Sequence, residues 1–351
     1  LDVAAAVTYV SPAGRPTGPT PEDKAQMNDT PAAMRDRPGL SDYLAIARFD
    51  HMTKHVFVLP GMALALLLRG VHSPNVGRDI ALGFIAVIAI ASANYVINEY
   101  LDREFDRHHP TKSARTAVQL RLDPRLVALQ WAAFAAIGLA AAALSSPAML
   151  ATALVFAGQG IVYNVRPLRS KDIAWLDVIS EAINNPLRMI IGWLMIDPTT
   201  LPPASILICY WTGGAFLMAA KRLSEYRDIV ASHGCDLLAR YRKSFASYTE
   251  TSLTVSCFLY AILSAFFLAV FLIKYRIEFI ITLPAFAGLF ALYLALAMQA
   301  GSVAQKPEKL FRQKSLMLAV AIVTLTVVVA TFVDMPFLRQ LTARNYISLT
   351  P

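Results

Sequence analysis

The chain has 351 residues, 56% of them hydrophobic and only 16% charged, with a formal net charge of +8 and a mean hydropathy of +0.50. Soluble domains carry about 25% charged residues, so this composition excludes an ordinary soluble enzyme. The excess of Lys and Arg collects in loops between apolar runs, which is a signature of membrane orientation and excludes a nucleic-acid-binding chain.

Residues 1–40 are rich in Pro, Ala, Thr, Asp and Gly and hold no apolar core. They lack the charged and apolar regions of a signal peptide and read as a disordered cytoplasmic tail or the remnant of an upstream segment. Residues 41–54 mix Tyr43, Leu44, Ile46, Ala47 and Phe49 with Asp42, Arg48, Asp50 and His51, an amphipathic entry segment at the interface. Apolar runs follow, of the length that marks bilayer spans. The first covers residues 56–68 and is interrupted by Pro60 and Gly61; the second covers 80–97. The third covers 126–144, turns at Ser145-Ser146-Pro147, and is followed by the fourth at 148–162. The fifth, 175–196, carries Glu181, Asn184, Asn185 and Arg188 inside it, with a kink expected at Pro186. The sixth covers 204–220, and a polar connection over 229–250 leads to spans at 253–273, 279–298 and 316–332. The predicted fold is an all-α membrane protein of about nine transmembrane helices around a central cavity. One domain covers residues 41–335, and 336–351 form a short tail.

The loops after even-numbered spans hold the cations: Arg103 to Arg125, then Arg166, Arg169 and Lys171, then Lys221 to Lys243, then Lys306 to Lys314. The alternate loops hold Arg69, Arg78, Lys274 and Arg276. This asymmetry puts the rich loops and the N-terminus in the cytoplasm, with the cavity opening to that face of a bacterial inner membrane. Cys209, Cys235 and Cys257 match no metal or redox spacing and are taken as structural or incidental.

Four polar groups fall on that same side. Asn98, Asp102 and Asp106 are four residues apart and share one helix face. Carboxylates so placed suit a hard divalent cation such as Mg2+, which takes one or two of them plus substrate phosphates. Lys112 and Arg115 follow, cations that neutralise a polyanionic leaving group. His108 and His109 are adjacent and point apart, which argues against a ligand pair. The second group is Tyr163, Arg166, Arg169, Lys171 and Asp172. The third is Glu181, Asn184, Asn185 and Arg188, polar groups at membrane depth that line a substrate cavity or form a structural network. The fourth is Lys221, Arg222, Glu225 and Asp228, either a helix-end salt bridge or a second phosphate site.

The run from Asn98 through Asp102, Asp106 and Arg107 to Lys112 and Arg115 resembles the first aspartate-rich motif of the UbiA superfamily of intramembrane prenyltransferases. The span count and the Tyr163 to Ile173 loop agree, and the resemblance covers roughly residues 41–335. Thr116 stands where members often have Pro. Many members carry a second aspartate pair after span six. This chain instead has Lys221-Arg222-Leu223-Ser224-Glu225, similar to the decaprenyl-phosphate phosphoribosyltransferase branch, as is the later Arg242 to Thr249. The stretch Glu181 to Arg188 is not a feature of that branch.

The resemblance implies a Mg2+-dependent transferase with a diphosphate leaving group, moving 5-phosphoribose from phosphoribosyl diphosphate to a polyprenyl phosphate. Asn98, Asp102 and Asp106 would hold the metal and Lys112 and Arg115 the diphosphate. Lys221, Arg222 and Glu225 would serve the acceptor, with Lys54 touching phosphate. The alternative is prenyl transfer to an aromatic or other small acceptor, with Glu181 or Asp177 orienting it. A non-enzymatic lipid pathway leaves the metal-type spacing unexplained. The expected partners are a polyprenyl lipid, a phosphorylated soluble donor or acceptor and membrane lipids; homo-oligomerisation is left open.

Overall fold

A computed structural model describes residues 38–341, apart from 108–111, 276, 300, 306–309 and 311. Residues 1–37 of the predicted tail, His108, His109, Arg276, Lys306, Lys309 and 342–351 therefore lie outside the described residues. The described residues are helical, with no strand. In chain order they form α1 (Leu40–Ile46), a 3-10 segment (Phe49–Val58) continuing as α2 (Leu59–Leu68), α3 (Val76–Asp106), α4 (Pro124–Ser145), α5 (Pro147–Asn164), α6 (Leu176–Ala182) and α7 (Asn184–Ile196). These are followed by α8 (Ala204–His233), α9 (Glu250–Tyr275), α10 (Leu283–Ala297), α11 (Lys314–Phe332) and α12 (Pro336–Leu341).

Six helical stretches are long and apolar enough to cross a membrane: α3, α4, α8, α9, Ile277–Ala297 and α11. The other three predicted spans coincide with shorter or broken elements: α2, α5, and the pair α6 and α7. One expectation is corrected. The fifth span breaks at Ile183, between α6 and α7, and not at Pro186. Pro186 lies in the first turn of α7, where its ring and missing N–H prevent the helix from continuing back into α6. The start of the predicted C-terminal tail is a short helix, α12.

The local sequence explains the tight α4–α5 turn. Asp123 caps α4 by accepting from the Arg125 N–H at 2.8 Å, and Ser146 caps α5 by accepting from the Met149 N–H at 3.1 Å. Each cap is followed by proline, whose missing donor costs nothing at a first helical position. Around this turn α3 packs on α4 and α5, while α8 packs on α9. One buried cluster joins Ile90, Phe156, Ile191 and Trp193; another joins Phe216, Leu223, Phe245 and Tyr293. A cavity lies between these two clusters, with Phe156 and Tyr293 in its lining.

α2 crosses α7 at close range because both carry glycine at the contact. A Cβ on Gly61 would overlap the Met189 carbonyl, and one on Gly192 would overlap the Val58 carbonyl. Gly192→Ala should therefore force the helices apart and lower stability by about 1–3 kcal/mol, read as a lower unfolding temperature in detergent. An unchanged value would show that the crossing relaxes freely.

Candidate active site

The ends of α3, α5, α6 and α8, with the turns after α5 and before α9, meet at one end of the bundle. The opposite end carries a smaller polar set, including Asp79, which accepts from Ser73 at 2.6 Å. There Asp197, fully buried, accepts hydrogen bonds from Thr199, from Thr200 at 2.6 Å and from Arg69 at 3.1 Å.

α3 runs unbroken through Asp106, so Asn98, Asp102 and Asp106 rise along one face, one turn apart. The turn after α5 reaches across to them. Arg169 Nη2 donates to Asp102 Oδ1 at 2.9 Å, and Lys171 Nζ lies 2.6 Å from the same oxygen. Lys171 Nζ also donates to Asn98 Oδ1 at 3.1 Å and to Asn164 Oδ1 at 2.7 Å. Asp106 Oδ2 accepts from Arg115 Nη1 at 2.6 Å. Arg169 Nε bonds both oxygens of Asp172 at 3.1 Å.

These residues surround a small cleft of about 40 Å³, lined by Asp102, Asp106, Asp172, Lys112, Arg169, Lys171, Arg242 and Lys243, with the rings of Phe105 and Tyr241. Five cations face three carboxylates there, so the cleft carries surplus positive charge. Burial pushes the Lys171 ammonium down to about 8 against the pull of Asp102. Burial likewise pushes Lys112 down to about 8 against Glu225 and Asp106. Both remain cations at neutral pH but are poorly hydrated, the condition in which a polyanion binds most favourably.

Among the described residues no group of three or more His, Cys, Asp or Glu forms a metal cage. Mg2+ does not require one, since substrate phosphates complete its shell. Asp102 and Asp106 each keep one carboxylate oxygen without a hydrogen-bond partner among the described residues. This hard-oxygen pair with open lone pairs fits a Mg2+–diphosphate and does not fit a soft metal.

A second cluster lies beside the cleft. Arg222, 3% exposed on α8, bonds three carboxylates at once. The distances are 3.3 Å to Asp177, 3.0 Å to Glu181 and 2.9 Å to Glu225. Asp177 is further held by Arg242 at 3.3 Å, Ser244 at 3.1 Å and Tyr248 at 2.7 Å. Tyr163 donates to Glu181 at 2.8 Å and accepts from Arg242 at 3.0 Å. The geometry thus makes Arg222 and Glu225 partners of each other rather than groups open to a ligand. Lys221 has no hydrogen-bonded or ion-paired partner among the described residues, and it interacts at longer range with Glu225 and Glu181.

The third feature is a cavity of about 310 Å³. Its polar lining is Lys54, Asn94, Tyr95, Glu181, Asn184, Asn185 and Arg188; its apolar lining includes Phe57, Phe156, Leu217, Met218, Leu316 and Met317. The structure thus places Asp102, Asp106, Lys112, Arg169 and Lys171 around the cleft, with Asn98 and Arg115 bonded to its members. Lys54, Glu181, Asn184, Asn185 and Arg188 line the cavity, and Tyr163, Arg222 and Glu225 form the network between. Sequence reasoning assigned no site role to Asn94, Asn164, Tyr241 or Lys243. Asn94 continues the four-residue spacing of Asn98, Asp102 and Asp106 by one turn, a signal present in the sequence.

A model of the UbiA prenyltransferase family matches residues 56–320. The decaprenyl-phosphate phosphoribosyltransferase of Mycobacterium tuberculosis is 29% identical over 204 residues, 57% of this chain and 63% of that protein. The protoheme IX farnesyltransferase of Geobacillus kaustophilus is 25% identical over 171 residues, 48% of this chain and 55% of that protein. The chain spans 55% and 63% of the length of these two relatives. A UbiA homolog from Archaeoglobus fulgidus bound to GPP and Mg2+ shares the fold, with a TM-score of 0.62 at 20% identity over 83% of this chain and 98% of that one.

Proposed function

The chain belongs to the UbiA prenyltransferase family, and from that premise we propose that it is a Mg2+-dependent membrane transferase moving 5-phosphoribose from phosphoribosyl diphosphate to a polyprenyl phosphate. The observation that carries this reading is the fate of the acidic groups. Asp177, Glu181 and Glu225 are all engaged by Arg222. Among the carboxylates that line the cleft, Asp102 and Asp106 on α3 are the two with an open oxygen among the described residues, which supports a metal-bound diphosphate there. The acceptor side is cationic through Lys221, and a cation there suits a lipid phosphate.

Asn98, Asp102 and Asp106 would hold Mg2+, whose charge stabilises the departing diphosphate. Arg169, Lys171, Lys112 and Arg115 exchange their carboxylate partners for diphosphate oxygens as the bond from C1 to the leaving oxygen breaks. A lipid phosphate oxygen forms the new bond to C1. That oxygen is already anionic, so no general base is required. Lys221 holds the acceptor phosphate, and Arg222 with Glu225 fixes α8 behind it. The lipid chain lies along the apolar wall of Leu217, Met218, Leu316 and Met317. The cations of the basic loops support a site at the cytoplasmic face of an inner membrane.

Purified protein supplied with Mg2+, labelled phosphoribosyl diphosphate and polyprenyl phosphate should form a lipid-linked sugar phosphate. The apolar walls of the cavity favour a second reading, prenyl transfer to a small acceptor. Consumption of a prenyl diphosphate with no phosphoribosyl transfer would establish that reading instead. Within the first reading, Lys221→Ala should raise the KM for polyprenyl phosphate by roughly 10-fold, the loss of one charged hydrogen bond, and leave the donor KM unchanged. An unaltered acceptor KM removes Lys221 from the site.

A further inference from the structure

Two cations in the cavity lack a carboxylate. Lys54 stands over the Tyr95 ring at 5.2 Å, and Arg188 faces Tyr95 from the other helix while lying 5.1 Å over the Phe156 ring. Arg188 is 6% exposed. Its Nη1 donates to the Asn184 carbonyl at 3.3 Å, but its Nε and the Asn184 Oδ1 have no hydrogen-bond partner. Among the described residues neither Lys54 nor Arg188 forms an ion pair. Glu181, the carboxylate that shares the cavity lining, bonds Arg222 and Tyr163 through one oxygen and reaches neither Lys54 nor Arg188 at ion-pair distance. Buried cations at membrane depth are costly and are retained where a partner of opposite charge arrives. Asn94 also leaves its Oδ1 unpaired, but its carboxamide is packed against Gly160 and takes no part.

We propose that Lys54 and Arg188 seat a phosphate monoester, and that this is the 5-phosphate of the phosphoribosyl donor. The assignment rests on the function proposed above. Tyr95, which both cations flank, lies seven residues before Asp102 on α3, about 10 Å along the helix axis. The attacking phosphate oxygen must come within about 3–3.5 Å of C1, so the acceptor phosphate stays beside the departing diphosphate. The phosphate at the far end of the pentose is the one that a remote seat reaches. A prenyl chain has no group for two cations, so the seat selects a sugar phosphate over an allylic donor.

Ribose 5-phosphate, which has the remote phosphate but no diphosphate, is the probe. It should compete with phosphoribosyl diphosphate on the wild-type protein. Arg188→Met should weaken that competition, and raise the donor KM, by roughly 10- to 100-fold. Inhibition by inorganic diphosphate and the KM for polyprenyl phosphate should not change. The ligand-free variant should unfold at no lower temperature, because a buried unpaired charge is removed. Lys54→Met should repeat the kinetic pattern and guards against misfolding of the first variant. A rise confined to the KM for polyprenyl phosphate would give the seat to the acceptor and overturn the assignment, while phosphoribosyl transfer itself stands. Donor and probe affinities unmoved by both variants would remove the seat altogether. If the wild-type protein makes no lipid-linked phosphoribose, the functional proposal falls first. Ribose 5-phosphate binding that ignores both substitutions would then separately dismiss the seat.

Discussion

Asp102→Asn and Asp106→Asn should each lower turnover by roughly 10²- to 10³-fold, the scale seen when one group that stabilises a leaving charge is lost. The amide keeps the size of the side chain and removes the charge proposed to hold Mg2+. Chelation of divalent ions should abolish turnover in the wild-type protein, and Mg2+ should restore it. In the variants the Mg2+ concentration for half-maximal rate should rise further than the donor KM does. Asp102→Asn carries a second signature. Arg169 and Lys171 lose their shared carboxylate, so without ligands the turn after α5 is held less firmly. Binding of inorganic diphosphate alone, without metal, should be undiminished or tighter, because two cations have been released to meet it. Full turnover in both variants would sink the metal assignment, and weaker metal-free diphosphate binding would show that Asp102 does not compete with the anion for those cations.

The legible part of this site was the part carried on one helix. Asn98, Asp102 and Asp106 are linked by a local period, so their shared face follows from sequence spacing alone. The break of the fifth span was legible as a proline but displaced by three residues, because the helix fails where the ring meets the preceding turn rather than at the proline itself. The pairing of Asp102 with Arg169 joins residues 67 positions apart, and no local rule foresees it. Lys54 and Arg188 came out as separate candidates from different spans; only the fold shows that they flank one tyrosine.

The same limit applies most sharply to Arg222. In sequence, Lys221-Arg222 followed by Glu225 reads equally as a phosphate grip or as a salt bridge. Tertiary structure adds Asp177 and Glu181, from 45 and 41 positions away, and each of the three guanidinium nitrogens then holds a carboxylate. Arg222→Met should therefore act through stability. Glu225 loses its direct partner and Glu181 keeps only Tyr163, while Asp177 retains Arg242, Ser244 and Tyr248. Removing one member of a buried ion pair costs about 3–5 kcal/mol, mostly from the charge left behind. The unfolding temperature in detergent should fall sharply, and the yield of folded protein with it. Arg222→Met combined with Glu225→Gln should recover part of that loss, since the stranded charge on the same helix is gone; the coupling between the two sites is what a double-mutant cycle measures. A substrate-gripping Arg222 predicts the opposite pattern: little change in stability, a raised KM for one phosphorylated substrate, and no rescue by the second substitution. The discriminating quantity is the sign of the coupling, because a network that has already spent its cation on three carboxylates has none left to offer a ligand.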